Sequence, residues 1–313
     1  MRTGRASALT DTGRRRMRNE DAFVCDPPLF AVADGMGGAQ AGEVASRLAA
    51  AALEERAAGL VGESAVAQLI REANERIYRQ ALADPTAAGM GTTVTALLVD
   101  EEAGTIAVGH VGDSRAYLVR DGALEQLTAD HSLVAELVRT GRLTPEEAEQ
   151  HPHRSVITRA LGTDADVEVD TFSVAANPGD LYLVCSDGLS SMVRDEDILG
   201  IVAQTGGAPD GIAEGLVDAA NRAGGEDNVT VVVFELLEGP GADHEDGLLS
   251  EPDAVTAEAA LANVVLPEPE SAEEDVEPVR RHGAAGGGRW LALAGILLAL
   301  AVAALLVWWG ITR

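Results

Sequence analysis

Four aspartates stand at the edges of apolar, strand-like runs, and their placement restricts the possible folds more than any other feature of the sequence. They are Asp34 after 29–33, Asp113 after 107–112, Asp187 after 181–186, and Asp227 just before 229–234. A carboxylate beside a buried strand costs free energy unless it is paired, hydrated or bound to a cation. Strand ends that meet at one rim of a sheet would bring the four together. The sequence therefore predicts a metal site at such a rim.

The ligand chemistry indicates which ion this site would bind. All four ligands are hard oxygens from positions far apart in the sequence, which favours Mg²⁺ or Mn²⁺ over a calcium loop. No spacing of His and Cys residues suggests zinc. The simpler interpretation is that the Asp-Gly pairs at 34–35 and 187–188 only start turns. That explains either pair alone, but a shared metal explains all four aspartates together.

Composition excludes several functions for these 313 residues. An apolar content of 46% is enough for a sizeable core, while a net charge of −28 argues against nucleic acid, which is bound by neutralising phosphates. Every basic residue is Arg, so a lysine Schiff base and a Walker A lysine are both excluded. Cys25 and Cys185 lie in apolar runs, which predicts buried thiols in a reducing compartment.

The first of three segments, residues 1–237, alternates strands with paired helices. This order predicts an α+β layered domain instead of a strict βαβ repeat. Predicted helices cover 39–58, 63–83, 131–140, a stretch after Pro145, 195–204 and 209–223, and predicted strands cover 92–100, 105–111, 115–119, 124–127, 167–174, 180–185 and 229–236.

The other two segments are a spacer and a membrane span. Residues 238–289 are acidic and rich in Pro, Gly and Ala, which predicts a disordered linker; a regulatory or docking role is the alternative. Residues 290–309 are uncharged and long enough to cross a bilayer as a helix. Arg280, Arg281 and Arg289 precede this span, and no apolar signal stretch begins the chain. The prediction is a single-pass cell-membrane protein whose large domain lies in the cytoplasm.

An arginine cluster precedes the first aspartate of the set. Arg14, Arg15, Arg16 and Arg18 all lie upstream of Asp34. The planar guanidinium suits bidentate binding of an oxyanion, and beside a dicationic centre phosphate is the natural ligand. A hydrated surface patch is the preferred interpretation for the three arginines other than Arg16.

Five short motifs carry a resemblance to a known family. They are Arg16…Asn19-Glu20-Asp21, Asp34-Gly35-Met36-Gly37-Gly38, Gly112-Asp113-Ser114-Arg115, Ser186-Asp187-Gly188 and Asp227-Asn228-Val229-Thr230. In this order they resemble the metal-dependent protein phosphatase 2C family in its bacterial form, over about residues 1–237. The layout is similar to that of membrane-bound members that oppose Ser/Thr kinases, although those carry an extracellular domain that this sequence lacks.

The resemblance implies a fold and a set of site residues. The fold is a central antiparallel β-sandwich flanked by helices, in four α/β/β/α layers, with two Mn²⁺ or Mg²⁺ ions in a cleft at one end. The expected metal-binding residues are Asp34 bridging the two ions, Gly35 through its carbonyl, Asp187 and Asp227 on the first ion, and Asp113 with Asp187 and Ser155 on a third, weaker ion. Glu20 and Asp21 would act through water, with Asn228 beside them. Arg16 would clamp the substrate phosphate, so Arg16 and Asp34 are the expected catalytic residues.

The implied reaction is hydrolysis of phosphoserine and phosphothreonine in proteins. Two cations that share a bridging water lower its pKa and create a hydroxide for in-line attack, and Arg16 neutralises the transferring group. Met36 replaces a histidine thought to protonate the leaving group, which leaves a metal-bound water or His153 as candidates. His110, His131 and His151 are expected to be structural or solvent-facing.

Two alternatives stay open at this point. A membrane-tethered, inactive module that binds phosphorylated partners or scaffolds a kinase would need no chemistry. The same chemistry could also act on small molecules or on anti-sigma-type phosphoproteins. The expected partners are phosphorylated proteins, including Ser/Thr kinases and their substrates.

Overall fold

The computed structural model describes residues 1–37 and 41–239, and in these ranges every strand pair is antiparallel. The strands are β1 (Arg2–Asp11), β2 (Asp21–Asp26), β3 (Leu29–Met36), β4 (Gly91–Thr92), β5 (Val94–Asp100), β6 (Thr105–Val111), β7 (Arg115–Arg120), β8 (Ala123–Gln126), β9 (Asp170–Ala175), β10 (Leu181–Cys185) and β11 (Val229–Leu237). One sheet has the order β1-β11-β10-β7-β8. The other has the order β2-β3-β5-β6-β9, and β4 pairs with β3.

The described residues form seven α-helices. They are α1 (Ala41–Glu54), α2 (Glu63–Ala83), α3 (Leu133–Arg139), α4 (Pro145–Glu149), α5 (Asp187–Ser190), α6 (Asp195–Gln204) and α7 (Pro209–Ala223), with a 3₁₀ turn at Pro85–Ala87. Three apolar cores separate the layers. One lies between α1, α2 and the β3 sheet, one between the two sheets, and one between the β11 sheet and helices α5, α6 and α7.

The alternation of side chains along two central strands produces this layering. On β3, Phe30 and Val32 enter the core between the sheets, whereas Ala31 and Ala33 face the α1 layer. The partner ring across the inner core is Phe234 of β11, whose centroid lies 3.9 Å from that of Phe30. Because both faces of these strands are buried, their apolar runs are nearly continuous, and on β3 the run stops at Asp34, close to the strand end.

The observed elements confirm most of the sequence predictions, including the α+β class with antiparallel sheets. Two edge strands, β1 and β2, were not predicted. β1 carries two arginines and is only half-buried, so its residues lack the apolar alternation that marks a strand. Helix α1 ends at Glu54, earlier than the predicted 58, and the predicted strand at 167 begins at Asp170.

The predicted C-terminal segments lie largely outside this description. Of the acidic spacer only residues 238 and 239 are described, and the predicted membrane span at 290–309 is outside the described residues. Across residues 1–37 and 41–239, no helix is both long and apolar enough to cross a bilayer.

Candidate metal centre

Antiparallel pairing brings the predicted site residues to one rim of the sandwich. Asp21 at the start of β2 lies directly opposite Asp34 near the end of β3. In the other sheet, Asp11 at the end of β1 lies opposite Val229 at the start of β11. Strands that end at this rim therefore alternate with strands that begin there, and residues far apart in sequence become neighbours.

The four predicted aspartates, joined by Asp21, interact at this rim. Asp113 is only 7% exposed, and the others are partly buried. Three carboxylate oxygens, the Oδ1 atoms of Asp21, Asp113 and Asp187, are buried without a hydrogen-bond partner in the described structure. Unsatisfied buried oxygens are costly. Their concentration at one rim is what a site for a bound cation would produce.

Electrostatics at this rim favours the protonated carboxyl groups. Burial, reinforced by Asp21, Asp187, Asp113 and Asp227, raises the pKa of Asp34 well above its usual value. Burial likewise raises the pKa of Asp21 and of Asp113 to about 7, and the pKa of Asp187 to about 6. Nearby like charges act in the same direction. A cation bound here would reverse the preference, because it stabilises the ionised forms.

Hydrogen bonds hold the Asp21 carboxylate and the backbone carbonyl of Asp34 in place. The Asp21 Oδ2 atom accepts hydrogen bonds from Ser186 Oγ at 2.9 Å and from Thr230 Oγ1 at 2.6 Å. The Asp34 carbonyl accepts from Thr92 Oγ1 at 2.8 Å and from the Thr93 N–H at 2.9 Å. Ser186 and Thr230 belong to quoted motifs, but no local pattern shows that their hydroxyls meet Asp21.

Close backbone contacts explain why Gly35 follows Asp34. A Cβ atom at Gly35 would stand 2.2 Å from the Gly42 carbonyl oxygen and 2.4 Å from that of Glu20. The Gly35 N–H donates to the Glu20 carbonyl at 3.1 Å. Only glycine fits between these two segments. Burial of Glu20 raises the pKa of its carboxyl group.

Arg16 and Asn228 connect the N-terminal segment to the rim. Arg16 Nη2 donates to Asp227 Oδ2 at 2.5 Å. The Asn228 amide donates to the carbonyls of Thr12 at 3.0 Å and Arg18 at 2.9 Å, and its Oδ1 accepts from the Glu20 N–H at 2.8 Å. The predicted phosphate-binding arginine is therefore positioned beside a predicted metal ligand.

The residues present fit divalent cations, although their side chains do not form a finished cage. Among the described residues, no group of three or more His, Cys, Asp or Glu side chains is arranged to hold an ion. Asp227 instead engages Arg16 and the Asn228 N–H. The donor set is nevertheless made of carboxylates and a carbonyl, the ligands that Mg²⁺ and Mn²⁺ prefer, and three of its oxygens are unsatisfied.

A groove of about 1090 Å³ extends from the rim beneath α3 and α4. Asp113, Asp187 and Ser155 all line it, which places the predicted third-ion residues around one space. Ser155 itself is exposed. The ligand roles proposed for these three residues remain predictions.

Four histidines differ in burial and contacts: two are buried beside the end of β6, and two lie in the loop after α4. His110 and His131 are buried with ring centroids 4.7 Å apart, and burial lowers the pKa of His110 to about 4. His131 Nδ1 accepts from the Gly112 N–H at 3.1 Å, so this histidine supports the strand end beside Asp113. His153 is exposed, with its ring beside His151.

Gly188 provides a test of how tightly the rim is packed. A Cβ atom there would lie 2.0 Å from the Asn228 carbonyl oxygen, so Gly188→Ala must displace the segment that carries Asp227. We expect a loss of about 1–3 kcal/mol in the free energy of unfolding, together with weaker Mn²⁺ binding by calorimetry. Gly200→Ala is the control, since nothing lies within 4 Å of that Cβ position. Unchanged Mn²⁺ affinity in Gly188→Ala would contradict this packing argument.

The fold and the rim define a class of protein: a two-sheet α+β sandwich with a carboxylate cluster suited to divalent cations. The protein phosphatase 2C family model matches residues 13–214, and the chain belongs to this family. Mycobacterium tuberculosis serine/threonine protein phosphatase PstP is 45% identical over 237 residues, which cover 75% of this chain and 45% of PstP. The chain thus spans less than half the length of that relative.

Two further comparisons agree with this assignment. The serine/threonine phosphatase stp of Listeria welshimeri is 41% identical over 242 residues, covering 74% of this chain and 95% of that relative. The crystal structure of the PstP catalytic domain in complex with two manganese ions superposes with a TM-score of 0.68 at 41% identity, covering 75% of this chain and 98% of that structure.

Proposed function

We propose that the chain is a metal-dependent phosphatase that hydrolyses phosphoserine and phosphothreonine in proteins, with two Mn²⁺ or Mg²⁺ ions. The observation that carries the proposal is the group of carboxylates at one rim, three of whose buried oxygens have no partner in the described structure. The relatives named as Ser/Thr phosphatases and the manganese-bound structure support it.

The chain's own residues divide the work as follows. Asp34, Asp187, Asp227 and the Gly35 carbonyl would hold the two ions, while Asp113 and Ser155 line the space for a third. When bound, such ions supply Lewis-acid activation of water and neutralise phosphoryl charge. Two hydroxyl donors orient the Asp21 carboxylate, which would act on the bound ions through water. Hydrolysis through water needs no nucleophilic side chain, which agrees with Cys185 being buried with its pKa raised to about 12.

Arg16 would position the phosphate of the substrate. Its partner Asp227 would turn toward the ions once they bind, which leaves the guanidinium for the phosphate oxygens. Arg16→Ala is therefore expected to lower kcat/KM for a phosphothreonine peptide about 10- to 100-fold, mainly by raising KM, as one lost charge-assisted bidentate contact predicts. Arg14→Ala is the neighbouring control and should stay within about twofold. An unchanged KM in Arg16→Ala would exclude this role.

Manganese-dependent turnover is the direct test of the function. Full-length protein is incubated with a phosphothreonine peptide, with Mn²⁺ or with excess chelator, and phosphate release is measured. We expect release only with metal. A folded, metal-loaded protein that binds the peptide without hydrolysing it would instead support the inactive, membrane-tethered binding module.

We also propose that residues 290–309 anchor the chain in the cell membrane with the phosphatase domain in the cytoplasm. Support comes from the uncharged, Trp-flanked run and from the three arginines that precede it. The full chain is expected in the membrane fraction of expressing cells, and a chain ending at residue 289 in the soluble fraction. The same distribution of both chains would exclude this anchor. Membrane-associated Ser/Thr kinases and their phosphorylated substrates are the partners that this location favours.

A further inference from the structure

A carboxylate held between two arginines stands beside the metal centre and has no part in the proposed chemistry. Glu226 Oε1 lies 3.2 Å from Arg15 Nη1, and Glu226 Oε2 lies 3.4 Å from Arg154 Nη2. Each oxygen thus faces a different guanidinium. We call Arg15, Glu226 and Arg154 the Glu226 bridge.

The Glu226 bridge joins three segments that each contribute a predicted site residue. Arg15 precedes Arg16, and Glu226 precedes Asp227. Arg154 precedes Ser155 in the loop after α4. It lines the groove that also contains Asp113 and Asp187. A substrate whose phosphate reaches Arg16 would therefore place its neighbouring residues close to these two arginines.

Backbone contacts fix one half of the Glu226 bridge. The N–H groups of Arg14 and Arg15 donate to the Gly225 carbonyl at 2.7 and 3.2 Å. A Cβ atom at Gly13 would lie 2.2 Å from the Asp227 carbonyl oxygen, so the two segments are in close contact. Arg15 and Glu226 consequently keep a constant position relative to the phosphate-binding residue. Arg154 approaches Glu226 from a separate segment, the loop after α4.

The ion pairs of the Glu226 bridge are weak enough to exchange. The side chains of Arg15, Arg154 and Glu226 are 68%, 48% and 39% exposed, and pairs at such exposure contribute little net stability. An anionic group on a substrate already bound at the metal centre would compete with Glu226 for the two arginines. Because both belong to the same complex, the effective concentration of that anion is high. Because Glu226 is a carboxylate, the two guanidinium groups already bind the kind of anionic group that such a substrate would supply.

We propose that Arg15 and Arg154 form a second anion subsite, which selects phosphopeptides carrying a carboxylate or a second phosphate close to the phosphoresidue. Glu226 occupies this subsite in the free protein and is displaced when the substrate binds. The inference rests on the proposed phosphatase function and adds a determinant of substrate choice to it. In a chain of net charge −28, two arginines beside the cleft also counteract the repulsion of an acidic substrate.

Steady-state kinetics on full-length protein tests the subsite. The probes are phosphothreonine peptides with Glu, phosphothreonine or Ala at successive flanking positions. A further probe is p-nitrophenyl phosphate, a small ester that has no flanking residues. Arg15→Ala and Arg154→Ala are expected to lower kcat/KM about five- to tenfold for the anionic peptides. For the Ala peptide and p-nitrophenyl phosphate, kcat/KM should change less than about twofold. Glu226→Gln should raise kcat/KM for the anionic peptides alone. The Glu and phosphothreonine series show whether a carboxylate or a phosphate is preferred.

The matched control is Arg5→Ala, which removes an exposed arginine of β1 that pairs with Glu235 of β11. It should leave all substrates unchanged. Equal losses on every substrate in the Arg15 and Arg154 variants would mean that the Glu226 bridge only holds the loop, and equal rates for all peptides would mean that no subsite exists. Either result overturns the proposal. If the wild-type chain proves inactive, fluorescence anisotropy with the same peptides decides: anionic peptides must bind more tightly, and the two variants must lose that difference.

Discussion

Asp34→Asn is expected to lower kcat/KM for a phosphothreonine peptide by at least about 10³-fold, which corresponds to roughly 4 kcal/mol of lost transition-state stabilisation. The substitution keeps the shape of the side chain and removes its charge. All four other rim carboxylates raise the pKa of Asp34, so this residue would be a central ligand if the rim holds metal ions. Calorimetric titration with Mn²⁺ should show fewer or weaker sites, which gives a readout independent of activity.

Loss of the Asp34 charge should not destabilise the protein without metal. Its ionised form is disfavoured by burial and by four neighbouring carboxylates, so removing it relieves repulsion. The melting temperature of Asp34→Asn in chelator is therefore expected to equal or exceed that of the wild type. Asp218→Asn, an exposed aspartate on α7, is the control and should retain full activity. A fully active Asp34→Asn protein would refute the proposed metal centre.

Removing the metal should make the stability of the protein strongly dependent on pH. In the folded chain without metal, the pKa values of Asp21 and Asp113 are raised to about 7 and that of Asp187 to about 6. Unfolded aspartates titrate near pH 4. Between these limits the folded state binds more protons than the unfolded state. The stability that these three protonated groups contribute is therefore fully present below about pH 4 and is lost as the pH rises to about 7.

The size of this effect follows from the number of protons involved. Each proton held only by the folded state changes the free energy of unfolding by about 1.4 kcal/mol per pH unit. Because Mn²⁺ must displace those protons at low pH but not at high pH, it should stabilise the protein more at pH 8 than at pH 5.5.

Differential scanning fluorimetry at pH 5.5 and pH 8, with chelator or with Mn²⁺, measures both trends. The matched variant is Asp113→Asn, which removes one carboxyl group whose pKa is raised. In chelator, its melting temperature should depend less on pH than that of the wild type. A chelated wild-type protein that melts at a higher temperature at pH 8, or an Mn²⁺ effect that is the same at both pH values, would contradict this account.

The central elements of the fold could be read from the sequence because their signals are local. Helix α2 and strands β5 and β6 follow clear apolar periodicity, and the structure places them within two residues of the predicted positions. The edge strand β1 was not predicted because it is formed by pairing with β11, which lies more than 200 residues away in the sequence. Its burial comes from that pairing and not from its own side-chain pattern.

Much the same distinction applies to the site. The sequence points to the four aspartates and Gly35 because an acid at the edge of an apolar run and a glycine beside it are visible locally, whereas Arg16 stands out from its neighbouring arginines only through the family resemblance. Only the tertiary structure shows that Thr230 and Ser186 hold Asp21, and that Glu226 faces Arg154 across 72 residues of sequence. Which oxygens are left without partners, and which charges meet, depends on contacts between distant segments. Hydrophobic periodicity and turn chemistry encode where strands end, whereas sheet pairing and layer packing decide which of those ends come together.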